Sequence, residues 1–397
     1  MEFIVITLLK MAIVLAVFMT TLAYLQWVER KVLAHIQLRL GPSRVGPHGL
    51  FQPIADVLKL VTKEGVIPPH VHKFFYVIAP PLGVFTALIP ICVIPFGPEI
   101  EVFGYKTNLQ LADLNIGLLF ILAVSSLGVY SISLGGWASN NKYSLLGGLR
   151  SAAQMISYEL PMAIALASSI LMLNTLSFRE IVLGQEGYYL GFIPRWTIFQ
   201  MPFPQVISFL IYLICAFAET NRIPFDLPEA ENELVSGYHV EYSSMKFASF
   251  FMAEYANMIT VCSLASVLFL GGWTPLFPSK YGSFAIPTLL FLGGAAILFY
   301  HGRNYARPFD RITMPVAGTV FGGIAVLFLM PVLGDILQPV FWFAAKTGFL
   351  LFFFIWVRGT LPRFRYDQLM KFAWTFLFPV SMVNMLVTAL MVASFTK

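Results

Sequence analysis

Long apolar segments recur along this chain, and they constrain its fold more than any other feature. A helix needs about 20 predominantly apolar residues to cross a bilayer. Of the 397 residues, 58% are hydrophobic and only 11% are charged, whereas soluble proteins are roughly a quarter charged. The sequence therefore predicts an all-α polytopic membrane protein with about ten transmembrane helices. The predicted segments are residues 3–28, 74–95, 113–136, 152–173, 205–218, 247–270, 284–300, 312–334, 339–357 and 372–395.

Lys and Arg are distributed unevenly between the two alternating sets of connecting loops. One set contains 18 of the 25 basic residues, and an excess of Lys and Arg marks cytoplasmic loops. This orientation predicts both termini on the outer side of the membrane and the first connecting loop in the cytoplasm. No loop is long enough for a soluble domain, so we expect residues 1–397 to form a single integral membrane domain.

Ligands for a redox centre or a metal are sparse. Cys92, Cys215 and Cys262 stand singly inside apolar runs, which excludes an iron–sulfur cluster bound by this chain alone. His70 and His72 form the one close histidine pair, on a Pro-rich stretch without a thiolate or carboxylate nearby, and a solvated loop explains them better than a metal site. We predict no metal and no cofactor bound by this chain.

The first cytoplasmic segment, residues 29–73, has two parts. Residues 29–49 are basic and rich in Gly and Pro, which predicts an irregular loop. In residues 52–63 apolar side chains recur at helical spacing, which predicts a short amphipathic helix at the membrane surface. The segment either anchors the chain to the membrane or forms an entrance for an amphiphile that leaves the lipid.

The second segment, residues 219–246, is acidic, because residues 219–241 contain six carboxylates and one base, Arg222. Such a run is often a solvated loop. Here apolar residues interleave with the acids, which favours packing against protein. Crowded and partly desolvated carboxylates repel one another, and some of them then exchange protons near neutral pH. The six are Glu219, Asp226, Glu229, Glu231, Glu233 and Glu241.

Two carboxylates fall inside predicted spans. Glu159 and Glu254 each lie eight or nine residues beyond a cytoplasmic base, so both sit about 12 Å into the membrane at 1.5 Å per residue. An ionisable group at that depth marks a proton or ion path, or else a structural hydrogen bond between helices. Glu219 could connect this pair to the acidic loop. Four acids at the outer edge receive no role: Glu99, Glu101, Asp113 and Glu186.

Two classes of function fit these features. One is a subunit that couples the chemistry of an amphiphilic substrate to proton movement. The other is a stand-alone secondary transporter that uses carboxylates for proton exchange.

Four long motifs resemble signatures of one family, the membrane-embedded H subunits of proton-translocating NADH:quinone oxidoreductase, respiratory complex I. They cover much of the chain outside residues 282–335, so the resemblance is specific. The motifs read ERKVLAHIQLRLGPSRVGPHGLFQPIADVLKL, GGLRSAAQMISYELPM, AETNRIPFDLPEAENELVSGYHVEYSSMKFASFFMAEYANM and FFFIWVRGTLPRFRYDQLMKFAW.

The resemblance implies a translocase subunit of the bacterial inner membrane that forms the quinone tunnel and couples quinone reduction to proton translocation. It implies quinone as substrate, with iron–sulfur clusters, FMN and NADH bound by partner subunits. The expected partners are the redox-arm quinone-site and iron–sulfur subunits, small membrane subunits, antiporter-like subunits and lipid, without nucleic acid.

The resemblance also assigns roles by position. The family's quinone-site elements fall on Arg30, Lys31, Phe51, Gln52, Asp56 and Arg222. Its proton-coupling carboxylates fall on Glu159, Glu219, Asp226, Glu229, Glu231, Glu233 and Glu254.

One departure concerns residues 284–334. Members of the family usually have about eight spans, so the two extra predicted spans here read as an inserted transmembrane hairpin around the basic turn HGRNYARPFDR. Within the superfamily, the alternative is the equivalent subunit of a membrane-bound hydrogenase or of a dehydrogenase with another electron donor. The LGPSRVGPHG and DLPEAENELVSG motifs favour the quinone enzyme.

Overall fold

The computed structural model describes residues 2–102, 105–226, 237–283, 285–304 and 308–395. Helices dominate these ranges. They are α1 (Glu2–Ile36), α2 (Gln52–Thr62), α3 (Lys73–Leu88), α4 (Gly117–Ala138), α5 (Lys142–Leu173), α6 (Phe178–Gly184), α7 (Val206–Glu219), α8 (Ser244–Phe269), α9 (Ala285–Asn304), α10 (Pro308–Leu329), α11 (Pro331–Thr360), α12 (Tyr366–Phe372) and α13 (Phe378–Phe395).

Short elements join the helices. The strands β1 (Glu99–Val102) and β2 (Tyr105–Asn108) form one antiparallel pair, and β3 (Tyr188–Tyr189) and β4 (Ile193–Pro194) form another. Single 3₁₀ turns lie at Pro47–Gly49, Ile89–Cys92, Gly237–His239 and Ser279–Tyr281, and a π-helical turn, Ala373–Leu377, connects α12 to α13.

The prediction of an all-α polytopic membrane protein is confirmed. Within the described ranges, nine helices are long and apolar enough to cross a membrane. The segment predicted at residues 205–218 corresponds to α7, which is apolar but has 14 residues. In lipid, every backbone polar group must find its partner inside the segment, and a helix achieves this.

Two predicted boundaries are wrong. The irregular loop expected from residue 29 begins later, because α1 continues to Ile36. Helix α5 begins about ten residues before the predicted start, and the side chain of Asn141 caps it by accepting the backbone N–H of Tyr143 at 3.0 Å. The amphipathic helix predicted at residues 52–63 is present as α2, with Ile54, Val57, Leu58 and Val61 all more than half exposed.

The core is centred on α8, which contacts α1, α2, α3, α7 and α11. From Ala253 onward almost every residue of this helix is buried. Many of them are small, and small residues allow helices to approach closely in a membrane. The N-terminal end of α8 meets α2, since the Ser244 hydroxyl donates to the carbonyls of Leu60 at 2.9 Å and Lys63 at 2.8 Å.

Helices α9 and α10 pack against each other as a pair. The rings of Phe291 and Phe321 lie 5.7 Å apart, and Gly318 allows the ring of Phe299 to approach the backbone of α10. Helix α10 also approaches the turn Pro47–Gly49, which lies between α1 and α2. That the region 284–334 is an insertion stays a prediction.

Close backbone approach holds the turn Gly237–His239 against α5. A Cβ atom added at Gly147 would lie 2.8 Å from the Cα atom of Gly237, a distance that forces the backbone to shift. This contact places the side chain of Tyr238 toward α8.

The substitution Gly147→Ala tests this packing. Because overpacking of a tight contact costs about 1–3 kcal/mol, we expect a lower thermal unfolding midpoint of the detergent-purified protein. Gly323→Ala in α10 is the matched control, since no atom lies within 4 Å of a Cβ added there. Equal midpoints for the two variants would show that the approach of α5 to this turn is not a constraint.

Candidate functional site

Three of the predicted quinone-site residues meet where α1 ends and α2 begins. The guanidinium of Arg30 donates to Asp56 Oδ2 at 2.7 Å, and the amide of Gln52 donates to Asp56 Oδ1 at 3.0 Å. The side chain of Asp56 is 17% exposed and that of Arg30 is 44% exposed. The result is a polar cluster, open to the surface, beside the exposed apolar face of α2. We call these three residues the surface cluster.

Lys31 and Phe51 lie in the same segment. The Lys31 ammonium donates to the carbonyl of Leu40 at 3.3 Å, which ties the loop back to α1. The ring of Phe51 lies against Gly46, whose φ is +71° and where an added Cβ would be 2.4 Å from the ring. The ring of Phe51 remains half exposed, so the loop presents an aromatic surface next to the surface cluster.

A buried ion network lies deeper, between α1, α11 and the end of α7. Glu29 is 3% exposed and forms an ion pair with Arg358 and another, at 3.4 Å, with Arg222. The guanidinium of Arg222 also lies 4.2 Å from the ring centroid of Tyr255. We call Glu29, Arg222 and Arg358 the buried ion network. Shared pairing of this kind is what allows charges to remain ionised in a medium of low dielectric constant.

Of the three members of the buried ion network, the sequence predicted only Arg222. Glu29 and Arg358 stand at the ends of apolar segments, where a charged residue is ordinarily a solvated one. The one available signal was that Glu29 is the acid in an otherwise basic run, followed directly by Arg30 and Lys31.

Asp226 is buried and paired with a base. Its Oδ2 atom accepts from the guanidinium of Arg363 at 2.9 Å. The loop that carries it is anchored to α5, because the Gln154 amide donates to the carbonyls of Ala218 at 2.9 Å and Phe225 at 2.8 Å. Asp226 thus joins the loop after α7 to the segment after α11.

The carboxylates within the spans occupy α5, α7 and α8. Glu159 accepts a hydrogen bond from the hydroxyl of Ser126, and Glu219 lines a cavity together with the neighbouring residue Ser125. Glu254 is 8% exposed and accepts from the hydroxyl of Tyr238 at 3.0 Å. The structure therefore brings Glu159 and Glu219 near each other, and it places Glu254 at a small cavity that Glu219 also lines.

Two small cavities border Glu219. One, of about 30 Å³, is lined by Glu219, Glu254 and Asn257, and the other, of about 10 Å³, by Glu219, Ser125 and Asn257. A cavity of about 10–15 Å³ with polar partners is large enough for one water molecule. The arrangement can support proton exchange between Glu219 and Glu254 through a bridging water.

The remaining predicted proton-coupling carboxylates, Glu229, Glu231 and Glu233, lie outside the described residues. Metal-ligand clusters were not expected from the sequence. Among the residues that the structure describes, no group of three or more His, Cys, Asp and Glu side chains could hold a metal ion.

Glu241, further along the acidic loop, contacts three other segments. Its carboxylate accepts from the Asn141 amide at 2.8 Å, and its backbone carbonyl accepts from the Tyr76 hydroxyl at 2.8 Å. The carboxylate also lies 3.8 Å from Nε2 of His70. The expectation that His70 has no carboxylate nearby is therefore wrong, because Glu241 approaches it from a loop about 170 residues later in the chain.

His239 was missed by sequence reasoning, and it is buried next to Tyr238. The rings of Phe247 and Phe251 lie 5.3 and 5.7 Å from its imidazole. Burial lowers the pKa of His239 to about 4, so the side chain is neutral at pH 7. A neutral imidazole at this position adds no positive charge to the neighbourhood of Glu254.

Comparisons with known proteins agree with one another. The NADH dehydrogenase family model matches residues 9–389. The chain is 62% identical to NADH-quinone oxidoreductase H subunit 1 of Solibacter usitatus over 396 residues, which cover 100% of this chain and 99% of that protein. It is 49% identical to NADH-quinone oxidoreductase H subunit 2 of Koribacter versatilis over 401 residues, with 98% of each chain covered. It is also 45% identical to the NADH-quinone oxidoreductase H subunit of Protochlamydia amoebophila over 370 residues, or 93% of this chain and 92% of that protein.

Proposed function

The chain belongs to the NADH dehydrogenase family, as the multi-pass membrane H subunit of proton-translocating NADH-quinone oxidoreductase, and from that premise we propose that it forms the quinone tunnel and couples quinone reduction to proton movement. In this proposal the isolated chain catalyses no reaction. Electrons come from redox centres in partner subunits, and this chain binds the substrate and moves protons.

The observation that carries the proposal is the arrangement of charges at the cytoplasmic end of the bundle. The surface cluster of Arg30, Gln52 and Asp56 lies beside an exposed apolar helix face, and the buried ion network lies further in. A quinone has a polar headgroup and an apolar tail, so its headgroup meets hydrogen-bond donors while its tail remains in contact with α2 and lipid. Phe51 and Lys31 complete the mouth of this tunnel.

Proton coupling follows from electrostatics. Reduction of a quinone to a quinol consumes two electrons and two protons. Negative charge that develops near Arg222 during this reaction weakens the ion pair between Arg222 and Glu29. Such a change of charge shifts the proton affinities of nearby carboxylates. In this proposal the proton affinity changes at three carboxylates within the spans, Glu219, Glu159 and Glu254. Four acids connect them to the loop: Glu229, Glu231, Glu233 and Asp226. Antiporter-like partner subunits then move most of the ions.

The same proposal includes the membrane in which the chain lies, its orientation and the roles of three segments. The chain lies in the bacterial inner membrane with both termini on the outer side, in accord with the excess of bases on the opposite face. Residues 29–73 form the quinone entrance, residues 219–246 form the acidic loop, and residues 284–334 form an inserted hairpin. The redox-arm subunits dock on the cytoplasmic face. The similarity to NADH-quinone oxidoreductase subunits favours a quinone reductase over the hydrogenase-type and transporter alternatives.

Replacing Glu254 or Glu159 by Gln tests the coupling role. A positioned proton-transfer group contributes about 10²-fold or more, so we expect quinone reductase activity and proton pumping of the whole complex to fall at least tenfold. Electron transfer from NADH to ferricyanide, which bypasses the quinone site, stays unchanged and reports assembly. Glu101→Gln on β1 is the control. Normal pumping in both Glu254→Gln and Glu159→Gln would remove these residues from the path.

Replacing Asp56 by Asn tests the surface cluster. The variant removes the charge that orients Arg30 but retains an acceptor for Gln52. An exposed ion pair contributes about 0–1 kcal/mol, so we expect the KM for a short-chain quinone to rise about threefold with ferricyanide reduction intact. Asp367→Asn, which breaks the exposed pair of Asp367 with Arg365 at 3.2 Å, is the control. A wild-type KM and wild-type inhibitor sensitivity in Asp56→Asn would place the quinone elsewhere.

A further inference from the structure

A cavity lies at the other end of the bundle from the proposed quinone site. It has a volume of about 340 Å³, within the range of roughly 300–1,000 Å³ that ligand pockets occupy. Its walls come from the segment after α6, the loop after α8 and the first turns of α11. The lining includes Tyr188, Trp196, Trp273 and Trp342. We call this cavity the aromatic pocket.

The aromatic pocket lies at the level of the opposite lipid headgroups. Helix α8 begins at α2, where Ser244 hydrogen-bonds to Leu60 and Lys63, and Trp273 follows its last residue, Phe269, by four positions. Its 26 residues span about 39 Å at 1.5 Å per residue. The hydrocarbon core of a bilayer is about 30 Å thick, so the two ends of α8 reach opposite membrane surfaces.

Tryptophan is common at membrane surfaces, but these three indoles do not simply face lipid. They converge on one cavity, and each of them is less than a tenth exposed. By contrast Trp356, further along α11, is 52% exposed and has the ordinary lipid-facing position. Aromatic faces that surround one cavity bind organic ammonium groups through cation–π attraction.

Two carboxylates, Glu186 and Asp335, add negative charge to the lining of the aromatic pocket. One ammonium already belongs to this region. The buried side chain of Lys346 lies 4.2 Å from the centroid of the Trp196 ring. It donates to the carbonyls of Leu270 at 2.5 Å and Gly272 at 2.9 Å, and to that of Thr274 at 2.7 Å. Those three oxygens surround its charge, so the two lining carboxylates remain available to a second cation.

We propose that the aromatic pocket binds the headgroup of a zwitterionic aminophospholipid of the outer leaflet, with the ammonium among the aromatic rings, Glu186 and Asp335. The ammonium of this headgroup is the cation that the rings and carboxylates of the lining attract. Its acyl chains extend along the lipid-facing surface of α11. The bound lipid joins the loop after α8 to α11, far from the proposed quinone site.

The test uses the whole complex, purified in neutral detergent and depleted of lipid. The complex is incubated with an equimolar mixture of phosphatidylethanolamine and phosphatidylglycerol, washed with lipid-free detergent and extracted, and each retained lipid is counted by mass spectrometry. We expect wild type to retain about one more phosphatidylethanolamine per complex than Glu186→Gln/Asp335→Asn, with equal phosphatidylglycerol.

Glu101→Gln/Asp113→Asn, an exposed acid pair on the same side, is the matched control and retains the wild-type number. NADH oxidation with quinone stays at the wild-type rate in all variants, which shows that the complexes are assembled. Equal phosphatidylethanolamine counts in wild type and the Glu186/Asp335 variant would overturn the proposal. Loss of both lipids together in that variant would also overturn it. A side chain of another subunit filling the aromatic pocket in a cryo-EM map of the complex would also overturn it.

Discussion

The low dielectric constant of the membrane interior is the constraint on which the rest of this structure depends. A charge in such a medium persists only with a partner. The chain meets this demand by placing Glu29 between Arg222 and Arg358 and by pairing Asp226 with Arg363. These pairs join α1, the end of α7 and the end of α11, which are far apart in sequence. The geometry of the proposed quinone site is therefore inseparable from the pairing of its buried charges.

The carboxylates deeper in the bundle have a different environment. Glu159 and Glu254 accept hydrogen bonds from hydroxyl groups, and Glu219 borders small cavities. By contrast, Glu29, Asp56 and Asp226 contact arginines. An adjacent arginine holds a carboxylate in an ion pair, whereas a hydroxyl donates a hydrogen bond without adding a charge. The proposed division of roles follows: the arginine-paired groups near the surface bind and respond to the substrate, and the carboxylates within the spans carry protons. In this proposal the two groups of side chains lie close enough for substrate binding to affect proton movement.

The sequence predicted those features of the fold that depend on local physics. Apolar runs became helices because lipid provides no hydrogen-bond partners for the backbone. Helix α2 could be predicted because its apolar side chains recur at helical spacing. Ion pairs between residues far apart in the sequence could not be predicted in this way. The extension of α1 to Ile36 places Glu29 inside the bundle, and only Arg222 and Arg358, nearly two hundred residues or more away, make that position tolerable. His239 was missed because its aromatic surroundings come from a different element, α8.

The central claim is that quinone chemistry changes the protonation of carboxylates within the spans. Infrared difference spectroscopy of the complex during quinone reduction measures this directly, through the carbonyl stretch of protonated carboxyl groups. We expect wild type and the Glu101→Gln control to share a carboxyl band that Glu219→Gln lacks, with ferricyanide reduction unchanged in all three. An identical band in Glu219→Gln, with Glu159→Gln and Glu254→Gln also unaltered, would contradict the account.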